Sequence, residues 1–399
     1  MSSYKTTTLE RIEFHEPRLK VEKLPLVIDD WTLSFRLGFR GKTFWYLHNN
    51  RDAAYRMFKV RKASGGLRTL HNPSPLMRTF SQQLRARILL PLCAELGPHV
   101  SAYQLGKSTA DAVREHLAPC PVCAPHDAEH TCAVRVEATG DRTYTVKKDP
   151  CVACESPPKH DCPRKGVKIH MDLKDFFGST KRSWVRRYFH EVVGYNHYVS
   201  GMLAHLMTVT LTDPKTGAKY QGVPQGSKTS GDICNLIANW RFDQEILEKF
   251  QDWTYTRYAD DLYFSHPQNL ARKETDAFIK SVEQVVQNSG YRINRKKLHV
   301  QRPHAQQRLL GITLNQKLGI PADQYDRMRS LLHNCVTHGF EAQVERAKKD
   351  NVHHLHNWLR GNLAYYTMVA PAKAARLKAV YEYACAVHKN KDEEDAVTT

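Results

Sequence analysis

The segment WTYTRYADDLYFS constrains this chain more than any other, because it sets two adjacent acids between two apolar runs. The runs predict a strand, a tight turn and a second strand, with Asp260 and Asp261 at the turn. Two carboxylates so close together repel each other, and a cation would relieve that repulsion. Among metal ions, an all-oxygen ligand set favours magnesium. A bare Asp-Asp pair is usually a solvated turn, but the apolar strands on both sides argue against that interpretation here.

A third acid, Asp172, lies at the end of another apolar strand pattern. In VKIHMDLKDFFGS the predicted strand ends at Asp172. If this strand lies beside the hairpin in one sheet, three carboxylates can hold two magnesium ions about 4 Å apart. One ion would activate a hydroxyl group, and both would stabilise the phosphorus centre and the leaving pyrophosphate. The acids therefore predict nucleotidyl transfer.

The charge of the chain indicates a nucleic-acid partner. Its 399 residues include 59 Lys and Arg against 41 Asp and Glu, a formal net charge of +18. A polyanionic partner is the simplest explanation of such an excess, and a basic but otherwise ordinary protein is the alternative. No apolar run reaches the roughly 20 residues of a membrane span, and MSSYKTTTLERIEF lacks the apolar stretch of a secretory signal. We therefore expect a cytoplasmic protein with no membrane partner.

Residues 119–165 contain many cysteines and few large aliphatic side chains, so this segment cannot build a hydrophobic core of its own. A CxxC pair followed by His-x-Cys occurs twice, which is a strong signal for structural zinc. Each repeat could hold one ion, or the two CxxC pairs could share a single ion; free thiols are the remaining alternative. The eight candidate ligands are Cys120, Cys123, His130, Cys132, Cys151, Cys154, His160 and Cys162.

Three motifs in a fixed order resemble one protein family. DLKDFF follows a strand pattern, VPQG comes next, and YADD ends a further strand pattern. This order resembles the reverse transcriptases, above all those of bacterial retrons and group II introns, and the resemblance extends over residues 45–384 apart from the cysteine-rich insertion. It implies an RNA-directed DNA polymerase with a right-hand fold of fingers, palm and helical thumb. The mixture of strands, hairpins and helices is itself typical of an α+β fold.

The resemblance and the insertion together divide the chain into six parts. Basic residues in and around the insertion, such as Lys147 and Lys148, favour a role for it in binding RNA or a partner protein. In chain order the parts are an N-terminal extension (1–43), fingers (44–118), the zinc-binding insertion (119–165), the palm with the remaining fingers elements (166–320), the helical thumb (321–390) and a charged tail (391–399).

The same resemblance assigns catalytic roles to individual residues. Asp172, Asp260 and Asp261 match the acids that hold the magnesium ions in this family. Lys297 matches a lysine that protonates the leaving pyrophosphate, and its neighbour Lys296 fits that role equally well.

Further residues match positions that contact the incoming nucleotide or the template. Phe177 matches the steric gate, whose ring would collide with a ribose 2′-hydroxyl and so select deoxynucleotides; ordinary core packing is the plainer explanation of a Phe-Phe pair. Gly226 would let the backbone approach the substrate closely. Cations on the fingers hairpin suit a triphosphate. The residues in this group are Lys62, Arg68, Asp175, Phe177, Gln225, Gly226 and Tyr258.

Three hypotheses about function follow. The preferred one is a reverse transcriptase of a retron or retron-like antiphage defence system, with a structured non-coding RNA as template, an RNA–DNA duplex, dNTPs and an effector protein as partners. Because three short elements depart from the retron pattern, a defence polymerase that makes DNA without a retron RNA is the first alternative. These elements are DAVREH at 111–116, Leu309-Leu310-Gly311 and Ser230-Gly231. The second alternative, a non-catalytic RNA-binding protein on the same scaffold, conflicts with the intact acids.

Overall fold

The structure is a computed structural model that describes residues 24–61, 65–120, 122–123, 134–140, 143–148, 162, 164, 166–213 and 216–397, with the side chains of these residues up to residue 388 except that of Lys148. Helices alternate with short antiparallel hairpins, which confirms the predicted α+β class. Chain contacts divide the protein into two compact units. The first comprises Met1–Ser108, His170–Tyr263 and Ala271–His299, and the second comprises Thr109–Ile169, Phe264–Leu270 and Val300–Thr399. Six of the residues singled out above lie outside the described residues, namely Lys62, His130, Cys132, Cys151, Cys154 and His160.

The first unit begins with two helices and a hairpin. In the turn of this hairpin Gly65 and Gly66 have φ angles of 82° and 78°, a left-handed backbone that favours glycine. Two adjacent glycines therefore suit this turn. The elements are α1 (Asp30–Arg36), α2 (Gly41–Asn49), β1 (Tyr55–Arg61) and β2 (Leu67–Pro73).

A basic amphipathic helix follows the hairpin, as its apolar spacing predicts. Ser74 caps its start by accepting the N–H of Met77 at 3.3 Å, and Pro75 is tolerated at the first position because an N–H there would have no helical partner. Leu84 on the apolar side is fully buried, whereas Arg87 is exposed. The helix runs through α3 (Pro75–Leu84), a π-helical turn (Arg85–Leu89) and α4 (Leu90–Cys93).

Apart from the sheet that carries the acids, the rest of the first unit is built from helices and one more hairpin. The helix α9 (Ser230–Ala238) is the centre of this unit, because all of its residues are buried. By contrast α11 is amphipathic and buries one side only. The elements are α6 (Phe176–Ser179), α7 (Arg182–Arg187), α8 (His197–Met207), β6 (Val209–Thr212), β7 (Lys219–Gly222), α9 (Ser230–Ala238), α10 (Gln244–Lys249) and α11 (Arg272–Asn288).

A four-stranded sheet carries the acidic motifs. Its strands lie in the order β10 (His299–Gln301), β5 (Val167–Asp172), β9 (Asp261–His266) and β8 (Thr254–Tyr258). The two central strands, β5 and β9, are almost wholly buried, which explains their continuous apolar sequences. The strand, tight turn and second strand predicted around the acid pair are β8, the two-residue turn and β9.

The second unit is mainly helical. Within it α14 (Pro371–Val397) packs against both α12 (Ala322–His338) and α13 (Val352–Val369). The cysteine-rich insertion contains a hairpin of β3 (Val134–Gly140) and β4 (Thr143–Lys148). The ring centroid of Tyr144 on β4 lies 5.8 Å from that of His333 and 5.7 Å from that of Tyr383. Among the described residues, no helix is both long and apolar enough to cross a bilayer. The elements are α5 (Thr109–Arg114), β3 (Val134–Gly140), β4 (Thr143–Lys148), β11 (Arg308–Leu309), β12 (Ile312–Thr313), α12 (Ala322–His338), α13 (Val352–Val369) and α14 (Pro371–Val397).

Candidate active site

The two acidic motifs meet in the first unit. Asp172 is the last residue of β5, Asp260 lies in the turn after β8, and Asp261 begins β9. The N–H of Leu173 donates to the carbonyl oxygen of Asp260 at 2.7 Å, so a backbone hydrogen bond joins the two motifs. Ala259 in the turn has a φ of 55°, a left-handed conformation that is costly for a residue with a side chain. The surrounding sheet therefore holds the acid pair at a strained corner beside Asp172.

Side-chain donors lie beside Asp172 and Asp261. Asp172 accepts hydrogen bonds from the Nζ of Lys297 at 2.5 Å and from the Nδ2 of Asn294 at 3.0 Å. The hydrogen bond to Asp172 is the main reason why the pKa of Lys297 is raised. Asp261 lies 2.7 Å from the Nε2 of His170. Of the two lysines that the sequence left equivalent, Lys297 is the one that contacts an acid of the site.

Asp260 is the acid whose charge is least compensated. Its pKa is raised, first by burial, and then by the negative charges of Asp261 and Asp172. The backbone N–H of Asp260 itself, and then the charge of Lys297, offset only part of this rise in pKa. A divalent cation would remove the repulsion, and the donors present are carboxylate oxygens, the ligands that magnesium prefers. The residues at this corner therefore fit a magnesium site.

The two phenylalanines after β5 have different surroundings. Phe176 is buried and its ring centroid lies 5.8 Å from that of Tyr291, whereas Phe177 is only half-buried. Asp175, just before them, has a left-handed φ of 50°. The hydroxyl of Tyr220 donates to the Oδ2 of Asp175 at 3.5 Å. Phe176 therefore belongs to the core, and Phe177 remains available to a ligand.

The VPQG loop lies against the fingers hairpin. The N–H of His71 on β2 donates to the carbonyl oxygen of Gln225 at 2.8 Å. Gly226 has a φ of 127°, and a Cβ there would come within 2.6 Å of the carbonyl oxygen of His71, so a larger residue would displace the hairpin. Arg68 lies three positions before His71 on the same strand, and Tyr258 is half-buried at the end of β8.

Tyr103 is a residue at this site that the sequence analysis missed. Its φ is 61°, and its ring packs so closely on Gly231 that a Cβ there would lie 2.4 Å from the Tyr103 Cγ. Burial, and then the charge of Asp260, raise the pKa of Tyr103 to about 12, while Arg68 acts in the opposite direction. Tyr103 is thus electrostatically coupled both to the acid corner and to the fingers hairpin. Nothing in SAYQLG signals this position.

His170 and Asn294 were also missed, and one of them could have been found. Residues two apart on a strand share a face of the sheet, so His170 lies on the face of Asp172, where it can reach the acids. Asn294 is a different case, because it lies on the loop after α11 and only the fold brings it to Asp172.

Three predicted zinc ligands converge in the second unit. The Sγ atoms of Cys123 and Cys162 are 3.5 Å apart, and those of Cys162 and Cys120 are 3.9 Å apart. All three thiols are buried, and among the described residues they form the one group of three potential ligands close enough to hold a metal ion. This group takes two cysteines from the first repeat and one from the second, so it differs from both arrangements considered in the sequence analysis.

The surroundings of the three thiols favour a bound cation. Burial, and then the neighbouring thiols of Cys162 and Cys120, raise the pKa of Cys123 to about 12. A zinc ion would reverse this shift, because a coordinated thiol loses its proton. Arg164 is buried next to the cluster, donating to the carbonyl oxygens of Ala118 at 2.9 Å and Gln316 at 2.7 Å, and its charge would partly balance a zinc–thiolate centre.

Comparison with known proteins assigns the chain to a family. Residues 60–314 match the family model described as reverse transcriptase (RNA-dependent DNA polymerase). The Retron Mx65 reverse transcriptase of Myxococcus xanthus is 28% identical over 346 residues, which cover 83% of this chain and 65% of that protein. The Retron Ec86 reverse transcriptase of Escherichia coli is 28% identical over 195 residues, which cover 48% of this chain and 53% of that protein.

A second relative from Myxococcus xanthus, the Retron Mx162 reverse transcriptase, is 28% identical over 233 residues, which cover 52% of this chain and 45% of that protein. The chain thus spans less than two thirds of the length of each of these relatives. The family model, in contrast, covers more than half of the chain and includes all three acids. The chain therefore belongs to the reverse transcriptase (RNA-dependent DNA polymerase) family, as a member of the bacterial retron type.

Proposed function

We propose that this protein is an RNA-directed DNA polymerase of a retron or retron-like antiphage defence system. The observation that carries the proposal is the corner where Asp172 meets the Asp260-Asp261 turn, with Lys297 against Asp172. Family membership and the retron names of its relatives support the same activity. The net charge of +18 suits an RNA template and an RNA–DNA duplex.

Magnesium bound by Asp172, Asp260 and Asp261 would activate the primer hydroxyl and stabilise the charge of the reacting phosphate. The protein's own residues would bind and orient the substrate. The guanidinium of Arg68, together with Lys62, is suited to grip a triphosphate, and Asp175 would stand beside it. Lys297, held at Asp172, is positioned at the acids and would donate a proton to the leaving pyrophosphate.

Selection among nucleotides would depend on the half-buried ring of Phe177 and on the VPQG loop. The ring would occupy the space that a ribose 2′-hydroxyl needs. Gln225 and Gly226 would bring the backbone against the nucleotide and template, since the glycine already allows a close approach to the fingers hairpin. Tyr258, at the end of β8 beside the acid turn, would also contact the nucleotide or the template. We further propose a structured non-coding RNA as the template and an effector protein as a partner of the system.

The test of polymerase activity is the isosteric double variant Asp260→Asn with Asp261→Asn. We expect loss of dNTP incorporation on a primed RNA template by at least about a thousandfold, because the amides keep the shape of the turn but bind magnesium poorly. Circular dichroism and RNA binding should stay unchanged. The matched control is Asp252→Asn, an exposed acid before β8, which should retain activity. Incorporation by the double variant at the rate of the control would exclude the proposed site.

We also propose that the insertion binds structural zinc. Cys120, Cys123 and Cys162 would supply three ligands of one site, and a fourth would come from the candidates His130, Cys132, Cys151, Cys154 and His160. If the remaining candidates complete a second site, the total is two ions per chain. Such closed sites hold a fold together and leave no position for substrate, so the insertion would serve recognition of RNA or a partner rather than catalysis.

A further inference from the structure

A cavity of about 660 Å³ opens in the first unit beside helices α7 and α8 and strand β7. The three acids, the VPQG loop and Phe177 do not line it. Cavities of this size accommodate a small ligand or one unit of a polymer. The lining residues that matter for its chemistry are Lys181, Arg182, Arg186, Tyr198 and Tyr220.

Positive charge dominates this cavity. Among the residues that the structure describes, no carboxylate forms an ion pair with Lys181, Arg182 or Arg186. The pKa of Arg182 is lowered, first by burial and then by the charges of Arg51 and Arg186, so like charges crowd together at this wall. Arg51, in contrast, forms an ion pair with Asp52, in which the Nη2 and Oδ2 atoms are 2.9 Å apart. A bound anion would relieve the repulsion among the remaining cations.

Aromatic rings lie in the cavity wall and close to it. Asp30 accepts hydrogen bonds from the indole Nε1 of Trp45 at 3.0 Å and from the hydroxyl of Tyr198 at 3.4 Å, and so holds the two side chains near each other. Tyr198 is 50% exposed and Trp45 is 37% exposed, although both rings are large and apolar. The ring of His48, which lines the cavity, lies 4.9 Å from that of Trp45. Exposed aromatic rings next to cations form the kind of surface on which unpaired bases stack.

We propose that this cavity binds single-stranded nucleic acid, with phosphate groups at Lys181, Arg182 and Arg186 and an unpaired base stacked on Tyr198. The proposal rests on the proposed function only for the origin of the strand, which would be the template or the new DNA. Tyr220 connects this cavity to the nucleotide side, because it lines the cavity and its hydroxyl donates to Asp175. A duplex does not fit the proposal, since its bases are already stacked and paired.

The first test removes two exposed cations, in the variant Lys181→Ala with Arg186→Ala. Binding of a fluorescent single-stranded oligonucleotide, as RNA and as DNA, is measured by anisotropy without magnesium or dNTPs. We expect the Kd to rise at least fivefold, and the slope of log Kd against log salt to fall by about 1.4, at about 0.7 per phosphate contact. The control Arg272→Ala with Lys273→Ala removes the same charge from exposed positions on α11. Equal weakening in both variants would overturn the proposal.

The second test separates stacking from charge. Tyr198→Phe keeps the ring and should bind within about twofold of wild type, whereas Tyr198→Ala should bind at least fivefold more weakly. A lower Kd for the RNA oligonucleotide identifies the template as the bound strand, and a lower Kd for the DNA oligonucleotide identifies the new DNA. Equal affinity for duplex, or displacement of the oligonucleotide by a mononucleotide at similar concentration, would contradict it. Because the assay contains no magnesium or dNTPs, failure of polymerase activity and failure of this site give separate results.

Discussion

At the residue scale, two adjacent phenylalanines make different contributions. Phe177 is half-buried and Phe176 is fully packed against the core. Phe177→Ala should therefore admit ribonucleotides, raising the ratio of rNTP to dNTP incorporation at least about tenfold, with a smaller loss of dNTP use. The measurement is single-nucleotide incorporation with each substrate on the same primed RNA.

Phe176→Leu is the matched control for the steric gate. It should lower the free energy of unfolding by about 1–2 kcal/mol, because it removes volume from a packed core, and it should leave the rNTP to dNTP ratio unchanged. If the Phe176 variant changes the ratio of rNTP to dNTP incorporation and the Phe177 variant does not, the steric gate is not Phe177.

The acids of the site could be predicted from the sequence, whereas most of the residues that contact them could not. Asp172, Asp260 and Asp261 stand at the ends of apolar strands, where a charge has no structural reason to be, and so they are visible as a pattern. Asn294 donates a hydrogen bond to Asp172 although the two residues are 122 positions apart in the sequence, and no local sequence pattern predicts such a contact. Tyr103 depends on a left-handed backbone and on a neighbouring glycine, which only the folded chain shows.

At the scale of elements, strand β8 is anchored by a buried ion pair. Arg257 and Asp243 are both fully buried, with the Nη2 and Oδ2 atoms 2.7 Å apart, and Arg257 also donates to the Oδ1 of Asn235 at 2.7 Å. The hydroxyl of Tyr255 donates to Asp243 at 2.7 Å. These bonds join β8 to α9 and to the π-helical turn after it. These contacts therefore hold β8, the strand that leads into the acid turn, in position.

Removing one member of this pair should be costly. Arg257→Met should lower the free energy of unfolding by about 3–5 kcal/mol, because it leaves a buried carboxylate without its cation. Changing Asp243→Leu in the same chain should recover part of that loss, which chemical denaturation can measure. The control is Lys249→Met, from an exposed pair with Glu245, which should cost at most about 0.5 kcal/mol. A double variant as unstable as the sum of its single changes would show that the pair is not coupled.

The same pair predicts a dependence of stability on pH. Burial alone would raise the pKa of Asp243, but the charge of Arg257 and hydrogen bonds from His99 and Arg257 outweigh it and lower that pKa to about 2. The ordinary value is 3.8, so the carboxylate stabilises the fold above that pH and this contribution is lost as the pH falls towards 2. The decrease in Tm over this range should be smaller in Asp243→Asn than in wild type.

Local patterns predicted most elements but not their irregularities. The hairpins around the Gly-Gly turn, in the insertion and at the acid pair follow from turn residues and apolar alternation, and α11 follows from its spacing of apolar residues. The π-helical turns at Arg85–Leu89, Tyr188–Val192 and Asn239–Asp243 were not predicted. A single inserted residue produces such a turn, and its sequence still has a helical composition.

At the scale of the whole molecule, the insertion should depend on metal for its fold. The three buried cysteines are the core that this segment shows, and a structural zinc site contributes on the order of 10 kcal/mol. Protein purified without added metal should contain one to two zinc ions per chain by elemental analysis. Cys123→Ser with Cys162→Ser should lower that content, and chelation should increase hydrogen exchange at β3 and β4.

The control for the zinc prediction is Cys335→Ser, since Cys335 is equally buried but lies in α12, away from the cluster. Its zinc content should equal that of wild type. Generic primer extension should largely survive loss of zinc, whereas binding of the cognate RNA or partner should fall. Protein without zinc that still protects β3 and β4 from exchange would refute the metal site.

The division of the molecule into units was beyond sequence reasoning. Each unit is assembled from three separate stretches of chain, so no boundary in composition marks it. The family resemblance gave the order of the motifs, and the model of the reverse transcriptase family matches the region that contains them. Which cysteines meet is a property of the same kind: Cys123 and Cys162 are 39 positions apart, and the repeat pattern by itself pairs them with other ligands.

The packing of Tyr144 against His333 also imposes an order of events during synthesis. The two residues are 189 positions apart, and a ribosome that adds 5–20 residues per second needs about 10–40 s to cover that distance. Throughout this interval the β3–β4 hairpin exists without its helical neighbours, and an isolated two-stranded hairpin is only marginally stable in water. The nascent insertion therefore completes its packing only after α12 and α14 have been made, and zinc bound as proposed above would stabilise the hairpin until then.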